Sequence, residues 1–319
     1  MAGITGQGTT FNLPNYVGEL FAASPEDTPL LSSIGGLTGG ESVKSTLFEW
    51  QGYDLRDADA TRQRLEGANA PTSESRARFS ASNVLEIHQE AVEISYTKQA
   101  AIGQRATAGV ATVTVGSTVV PADELAWQLE QQFKQIARDV EKTFITGTFS
   151  NPTTNASPRK TRGIMEAITT NVNAVVGTLT ADHVNDLLQK IWDNGGIQEG
   201  ETRTAIVGSA MKRQLTKLFI KDAGYKEETR DVGGVNLQTI ETDFGKLNIM
   251  LNRYAVAGAL TVVSLEELRP TFLEIPGKGH FFAEPLAKTG AADKVQIYGE
   301  IGLNYGNERK HGKLTVTAE

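Results

Sequence analysis

One apolar stripe constrains the fold more than any other feature of this 319-residue sequence. Six large apolar residues recur at steps of 4, 4, 3, 4 and 4, the spacing that places side chains on one face of an α-helix. They are Leu125, Leu129, Phe133, Ile136, Val140 and Phe144. We predict a helix at residues 120–147, with about 26 helical residues and a length of roughly 39 Å. Pro121 suits its first turn, and Gly147 is placed to end it. The apolar face should lie on a sheet, and the opposite face should meet solvent with Glu130, Lys134, Arg138 and Glu141.

Residues 148–264 alternate between helical and strand patterns, which is typical of an α/β body. Thr180 is placed to cap one helix, which Gly195 and Gly196 end, and Ser209 is placed to cap the next. The expected inward residues are Val184, Leu187, Leu188, Ile191 and Trp192 in the first helix and Leu215, Leu218 and Phe219 in the second. Strands are predicted at 205–207, 235–240, 247–251 and 260–263.

The last part of the chain, residues 265–319, is predicted to be rich in strands, at 272–275, 295–305 and 314–317. We expect these strands to share a layer with the long helix, because they follow the α/β body in the sequence. The body would then be inserted between the helix and the strands, which gives an α+β fold.

The first 43 residues are predicted to form an arm. A short amphipathic helix is expected to begin at Pro14 and to be broken at Pro25 and Pro29. So few residues do not bury an apolar stripe by themselves. The stripe must therefore lie on the main body or on another subunit.

Residues 44–97 pose a similar problem. Two extended stretches flank a polar region, as in a long hairpin, and an isolated hairpin of two strands is only marginally stable in water. The polar region alternates in charge and contains Asp54, Arg56, Asp57, Asp59, Arg62, Arg64 and Glu66. Two interpretations stay open from the pattern: a solvated loop with surface ion pairs worth about 0–1 kcal/mol each, or an interface arm whose pairs are completed on a neighbour.

Composition excludes several classes of protein. The sequence has no cysteine, which excludes disulfides, thiol catalysis and cysteine metal sites. A net charge of −7 disfavours tight, salt-dependent binding to DNA. No apolar run approaches the roughly 18 residues that cross a bilayer, and the N-terminus lacks the layout of a signal peptide. We therefore expect a cytoplasmic chain without a membrane contact.

A search for catalytic motifs predicts no active site. None of the four histidines, at 88, 183, 280 and 311, has a recognised metal-ligand spacing. Lys288, Thr289 and Gly290 match the K-T-G signature of penicillin-binding enzymes, but the accompanying motifs are missing. We predict a protein that is not an enzyme and that has no cofactor and no metal.

Two stretches of the sequence resemble the major capsid proteins of tailed bacteriophages, which have the Hong Kong 97-like capsid fold. The first is residues 10–36, TFNLPNYVGELFAASPEDTPLLSSIGG, and the second is residues 280–313, HFFAEPLAKTGAADKVQIYGEIGLNYGNERKHGK. The resemblance covers most of the chain through the order and length of its parts, and it is most specific in these two stretches.

The resemblance implies four parts. Residues 1–43 would be the N-terminal arm, and residues 44–100 an extended β-hairpin loop. A peripheral domain would hold residues 101–149, with the spine helix at 120–147, together with the late strands at 265–319. An axial α/β domain would hold residues 150–264.

The function implied is self-assembly into pentamers and hexamers that tile an icosahedral head around double-stranded DNA. The extended loop and the arm would then lie on adjacent subunits. Contact residues would be Trp50, Tyr53, Arg56, Asp57, Asp59, Arg62 and Arg64 in the loop, and Phe11, Leu13, Tyr16, Leu20 and Phe21 in the arm. The packaged DNA would be contacted weakly and without sequence preference.

Further partners and an alternative follow from the same resemblance. A separate scaffolding protein, a portal and a decoration protein are expected partners, and assembly is expected in the cytoplasm of a host bacterium, with the chain ending in the virion. Some members of the family join subunits through a lysine of the extended loop. No lysine lies between Lys44 and Lys98, so no such bond is predicted here. The alternative function is the shell of a bacterial encapsulated nanocompartment, which has the same fold.

Overall fold

The computed structural model describes residues 26–53, 55, 58–76, 78–100, 112–115, 118–121, 124–198, 201–222, 239–288 and 290–317. Several predictions fall outside the described residues. They concern the contact residues Phe11, Leu13, Tyr16, Leu20 and Phe21 of the arm, Arg56 and Asp57 of the loop, and residues 235–238 of one predicted strand.

The helices in the described part of the chain are α1 (Pro29–Ile34), α2 (Tyr96–Ala100), α3 (Glu124–Thr146), α4 (Ile164–Ala167), α5 (Ala181–Asp193) and α6 (Ser209–Thr216). A π-helical segment, Lys217–Asp222, continues α6, and single 3₁₀ turns occur at Leu265–Glu267 and Glu308–Lys310.

The first six strands are β1 (Glu41–Val43), β2 (Leu47–Tyr53), β3 (Arg78–Val84), β4 (Glu86–Ser95), β5 (Thr112–Val115) and β6 (Thr118–Pro121). The later strands are β7 (Val172–Val176), β8 (Arg203–Val207), β9 (Thr239–Thr242), β10 (Gly245–Leu251), β11 (Ala259–Ser264), β12 (Arg269–Leu273), β13 (Phe281–Pro285), β14 (Ala292–Asn304) and β15 (Gly312–Thr317).

The chain divides into two compact units. The smaller unit contains Met1–Asp27, Gln89–Ile136 and Ala283–Ile297, and the larger unit contains the remaining residues, Thr28–His88, Ala137–Phe282 and Tyr298–Glu319. The chain passes from one unit to the other before α1 and inside β4, α3, β13 and β14.

The larger unit is built on a six-stranded sheet in the order β7-β15-β11-β8-β10-β9. β15 runs parallel to β7, β10 runs parallel to β8, and β11 lies antiparallel between β15 and β8. Residues of α5 and α6 pack on this sheet in one apolar core, which includes Val184, Leu187, Leu188, Ile191, Val207, Met211, Leu215, Leu260, Val262 and Leu314. Helix α5 and strand β15 approach each other closely at Gly312, where a Cβ atom would lie 2.6 Å from the Cδ1 atom of Ile191.

In this body one predicted helix cap is confirmed, and two other predictions are corrected. The hydroxyl of Thr180 accepts a hydrogen bond from the backbone N–H of His183, as expected of an N-cap. Ser209, however, is the first helical residue of α6, and Gly208 occupies the N-cap. Trp192, predicted to point inward from α5, is 56% exposed because it lies at the end of the helix, beyond the stripe that Ile191 completes.

The long helix is confirmed in most of its length. Ile136, Val140 and Phe144 are buried, and the N–H of Gly147 bonds to the carbonyl oxygen of Thr143, as expected where the helix ends. Its described part begins at Glu124, and Pro121 ends strand β6 instead of opening the helix as predicted. The prediction for Glu141 is wrong: its side chain is fully buried.

The last strand is the largest difference from the predicted arrangement. The sequence placed 314–317 with the late strands, but β15 lies in the six-stranded sheet between β7 and β11. Three segments of the larger unit pair as a second sheet, with β12 between β1 and the end of β14. A short apolar strand fits either sheet equally well, and only the pairing decides its place.

The smaller unit contains the β5–β6 hairpin and parts of β4, β13 and β14. Polar side chains connect these strands: the amide of Gln89 donates to Gln296 at 2.9 Å, and Gln296 donates to Glu284 at 2.6 Å. The ammonium group of Lys294 lies 3.0 Å from the carboxylate of Glu93.

Candidate interaction surface: a hairpin loop and a cleft

Strands β2 and β3 form an antiparallel hairpin of seven residue pairs, from Leu47 opposite Val84 to Tyr53 opposite Arg78. Phe79 lies opposite Gly52, and its ring covers the glycine so closely that a Cβ atom there would lie 2.1 Å from the ring. A glycine at position 52 therefore leaves the space that the Phe79 ring occupies. The two extended stretches predicted around a polar region are confirmed.

The base of the hairpin is held by a fully buried amide. The side-chain nitrogen of Asn83 donates to the carbonyl oxygens of Arg162 and Leu303, at 3.1 and 2.7 Å. Its oxygen accepts from the N–H groups of Arg162 and Val84, at 2.8 and 2.9 Å. Both hydrogens and both lone-pair directions of the amide are thus used, which fixes the direction in which the hairpin leaves the unit.

Trp50 is one of the predicted contact residues, and the structure places it against its own chain. Its indole N–H donates to the carbonyl oxygen of Gly306 at 2.8 Å. Its ring meets that of Tyr305 edge to face at a centroid distance of 4.8 Å, and that of Phe48 at 5.7 Å. Trp50 is therefore a half-buried, fixed wall of the surface, whereas its predicted contact with another subunit is untested.

Beyond the hairpin strands the chain forms a loop without regular secondary structure in its described residues, 55 and 58–76, and all of these are exposed. We call this segment the hairpin loop. Leu65 is 86% exposed, Leu55 is 77% exposed, and Tyr53 at the end of β2 is 67% exposed. Apolar side chains this exposed, close together on one segment, are a sign of an interaction surface.

One group of charged side chains in the hairpin loop is paired within the loop. Arg62 pairs with Glu74 at 2.5 Å and with Asp59 at 3.5 Å, and Arg76 also pairs with Glu74, at 3.0 Å. The Thr61 side chain bonds to the carboxylate of Asp59 and lowers its pKa. Two predicted contact residues, Arg62 and Asp59, thus have partners in their own loop.

Arg64 differs from these paired residues. It is exposed, and it has no ion-pair partner among the residues that the structure describes. Its position next to Leu65 puts an unpaired cation beside the most exposed leucine of the described chain.

A cleft of about 210 Å³ lies beside the hairpin in the larger unit. Trp50, Gly52 and Phe79 line one side, and the segment with Glu266, Glu267 and Arg269 lines another. Glu267 is paired with Lys310 at 2.6 Å, and Arg269 with Glu41 at 2.6 Å. The cleft therefore combines fixed aromatic rings with carboxylates.

Glu266 is the carboxylate of this cleft that lacks a cation within the described part of the chain. It accepts the N–H of Thr202 at 2.9 and 3.0 Å and the hydroxyl of Ser264 at 3.1 Å. Burial acts to raise its pKa, but the hydrogen bonds from Thr202 and Ser264 outweigh burial and lower it. Glu266 is therefore an anion at neutral pH.

A second feature, which sequence reasoning missed, is the attachment of α1. The carboxylate of Glu141 accepts the backbone N–H groups of Leu30 and Leu31 at 2.9 and 2.6 Å, and also the amide of Asn252. It thereby satisfies two of the free N–H groups at the start of α1. The one available signal was Pro29, which suits the first position of a helix but was interpreted as a break.

Nothing in the described residues forms a metal cluster of three or more histidine and acidic ligands. His311 is fully buried, with its Nε2 atom 2.9 Å from the carbonyl oxygen of Tyr305 and its Nδ1 atom accepting the N–H of Ser264 at 3.3 Å. Burial lowers its pKa, against the opposing effect of the Tyr305 carbonyl and of nearby glutamates. It is a neutral structural residue.

None of the helices that the structure describes has the length and apolar character needed to cross a membrane.

The fold is shared with shell-forming proteins of known structure. The chain resembles the capsid of the cyanophage P-SCSP1u with a TM-score of 0.59 and 11% identity, over 100% of this chain and 97% of that chain. It resembles the SrpI encapsulin of Synechococcus elongatus PCC 7942 with a TM-score of 0.55 and 10% identity, over 96% and 92% of the two chains. The α+β fold is thus the Hong Kong 97-like capsid fold, as the resemblance predicted.

The family follows from the sequence itself. Residues 3–318 match the model of the SU10 major capsid protein family, and the chain belongs to that family. It is 31% identical over 140 residues to the major capsid protein of Escherichia phage Phieco32. That match covers 44% of this chain and spans about a third, 34%, of the length of the Phieco32 protein.

Proposed function

We propose that this chain is the repeating subunit of the head of a tailed bacteriophage and that it assembles as pentamers and hexamers around double-stranded DNA. Its family and its fold support this function. The observation that carries it is the hairpin loop, in which Leu55 and Leu65 are exposed on a segment that the chain itself does not cover. In an assembly of identical subunits, a neighbouring copy supplies the surface that covers these leucines.

The proposal assigns each part of the chain a place in the subunit. Residues 1–43 are the N-terminal arm, 44–100 the extended loop, and 101–149 the peripheral domain with the spine helix. Residues 150–264 are the axial domain, to which we now add β15 because it pairs with β11 and β7. Residues 265–311 remain with the peripheral domain.

The interface residues of the proposal are those predicted from the sequence. The arm contributes Phe11, Leu13, Tyr16, Leu20 and Phe21, and the loop contributes Trp50, Tyr53, Arg56, Asp57, Asp59, Arg62 and Arg64. Trp50, Asp59 and Arg62 also have partners within their own chain, which hold the contact surface in shape.

The other partners are also part of the proposal. A separate scaffolding protein, a portal and a decoration protein complete the head, which forms in the cytoplasm of the host bacterium. The net charge of −7 fits a shell whose inner surface does not bind the packaged DNA tightly. The chain acts without catalysis, cofactor or metal.

Electron microscopy and mass photometry of the purified chain test the proposed function. We expect closed shells or particles with five or six times the 34.4 kDa mass of the subunit. A chain that stays monomeric at every concentration, and also when its scaffolding protein is present, would contradict the proposal. The similarity to an encapsulin keeps that function as the second candidate, and uniform shells that enclose a protein cargo and have no portal would favour it.

A further inference from the structure

We propose that the hairpin loop of one copy binds in the cleft of the next copy, with Leu65 on the aromatic wall of Trp50 and Phe79 and with Arg64 beside Glu266. This inference rests on the proposed function, because it names the site at which the loop of a shell subunit meets its neighbour. Neither the loop nor the cleft is complete without a second copy.

Charge is the first argument for this pairing. Among the described residues Arg64 is an exposed cation without an anionic partner, and Glu266 is a carboxylate bonded only to neutral groups. Arg62 and Arg76 are already paired with Glu74, and Arg269 with Glu41. Arg64 and Glu266 are therefore available, as opposite charges, for a contact between copies.

Shape and polarity are the second argument. The cleft holds about 210 Å³. One side is apolar and fixed, because Phe79 is seated over Gly52 and Trp50 is bonded to Gly306. Burying an exposed leucine there increases an association constant by about ten- to a hundredfold.

The loop does not fill the cleft of its own chain. Leu65 is 86% exposed although its hairpin strands form part of the cleft wall. If each copy gives one loop and receives one, the contact is head-to-tail, and such contacts form a ring where the rotation from copy to copy closes. The same contact then serves a ring of five or six copies.

Charge reversal and its rescue test the ion pair. We expect Arg64→Glu and Glu266→Arg each to raise the concentration of half-assembly at least about tenfold, and the double variant to restore assembly. Glu266→Gln keeps an acceptor for Thr202 and removes the charge, so it shows the effect even if Glu266→Arg folds poorly. Arg213→Glu, at an exposed position of α6, is the matched control and should assemble normally.

Mixing the single variants gives a sharper result. An Arg64→Glu loop fits a Glu266→Arg cleft, and the unchanged loop of the second variant fits the unchanged cleft of the first. The two variants must therefore alternate around a ring, which is possible in a ring of six copies but not in a ring of five. We expect the mixture to form six-membered particles and few five-membered ones, and recovery of both in equal yield would overturn the pairing.

Cysteine cross-linking locates the contact directly, because the chain has no cysteine of its own. Oxidised Arg64→Cys/Glu266→Cys chains should give a ladder of dimers, trimers and higher multiples on a denaturing gel. A fast-migrating monomer with an internal disulfide, or assembled chains without cross-links, would refute the loop–cleft contact and leave the shell function standing. An unmodified chain that never assembles would instead contradict the proposed function and this contact with it.

Discussion

Two leucines show how differently the body and the hairpin loop are built. Leu187 of α5 is fully buried in the core of the six-stranded sheet, whereas Leu65 of the hairpin loop is 86% exposed. The core of the body buries its apolar side chains within one chain. The loop leaves Leu55 and Leu65 exposed, which is typical of a surface that another molecule covers. We therefore expect the body to carry the stability of the subunit and the loop to carry its association.

Leucine-to-alanine changes in the two regions should show the largest difference in their effect on the free energy of unfolding. We expect Leu187→Ala to lower the free energy of unfolding by about 2–5 kcal/mol, because it leaves a cavity in a packed core. Leu65→Ala should leave it unchanged and should weaken assembly instead. Urea denaturation of the purified monomer measures both, and a large loss of stability from Leu65→Ala would remove the contrast between the regions.

The attachment of α1 extends the comparison to a polar contact inside the larger unit. Glu141→Gln removes the charge and one acceptor oxygen, so the two N–H groups of α1 lose charge-assisted bonds, at a cost of about 2–3 kcal/mol. Hydrogen exchange should show faster exchange at Leu30 and Leu31. Glu130→Gln, on the exposed part of α3, is the control and should leave both amides protected; unchanged exchange in Glu141→Gln would show that Glu141 does not hold α1.

Acid should weaken the body before it affects the loop. His311 has a lowered pKa in the folded chain, so below its ordinary value of 6.5 the unfolded chain binds a proton that the folded chain does not. Its contribution is complete above about pH 6.5 and is lost as the pH falls toward the lowered value, by up to about 1.4 kcal/mol per pH unit. Urea denaturation at pH 7.5, 6.5 and 5.5 measures how steeply the free energy of unfolding falls with pH.

His311→Gln separates this effect from the titration of the acidic residues. The variant is expected to be less stable at neutral pH but to show a flatter dependence between pH 6.5 and 5.5. An equal slope in both chains would mean that His311 does not cause it. Glu308 titrates at lower pH: burial acts to raise its pKa, but hydrogen bonds from Thr170 and Thr169 outweigh burial and lower it.

The smallest expected effect is that of the ion pairs in the loop. Arg62 and Glu74 are both solvent-exposed, and such pairs add little to stability. Arg62→Ala should therefore leave the urea midpoint of the monomer unchanged within error. A clear shift in that midpoint would show that the loop stabilises its own subunit.

The parts of the fold that were predictable have local causes. Periodicity revealed α3 and α5, and Thr180 and Gly147 marked where a helix begins and where another ends. The position of β15 was not predictable, because its partners β7 and β11 are distant in sequence. The burial of Glu141 was also not predictable from the sequence, because its partner Leu30 lies 111 positions away and a glutamate in a helix ordinarily faces solvent.

The candidate surface was only partly predictable for the same reason. Alternating charge identified the region between the strands, but it did not separate Arg62, which is paired in its own loop, from Arg64, which is not. Trp50 was predicted as a contact residue of the loop, but its bond to Gly306 was not predictable because it depends on a turn 256 positions away. The cleft is formed by segments that meet only in the folded chain.

Limited proteolysis with trypsin tests the central claim most directly, because Arg62, Arg64 and Arg76 place cleavage sites inside the hairpin loop. In free subunits we expect cleavage in this loop first, while the six-stranded body stays intact. In assembled shells the same bonds should be cut at least about tenfold more slowly. A loop that is already resistant in the free subunit, or one that is cut equally fast in shells, would contradict the account.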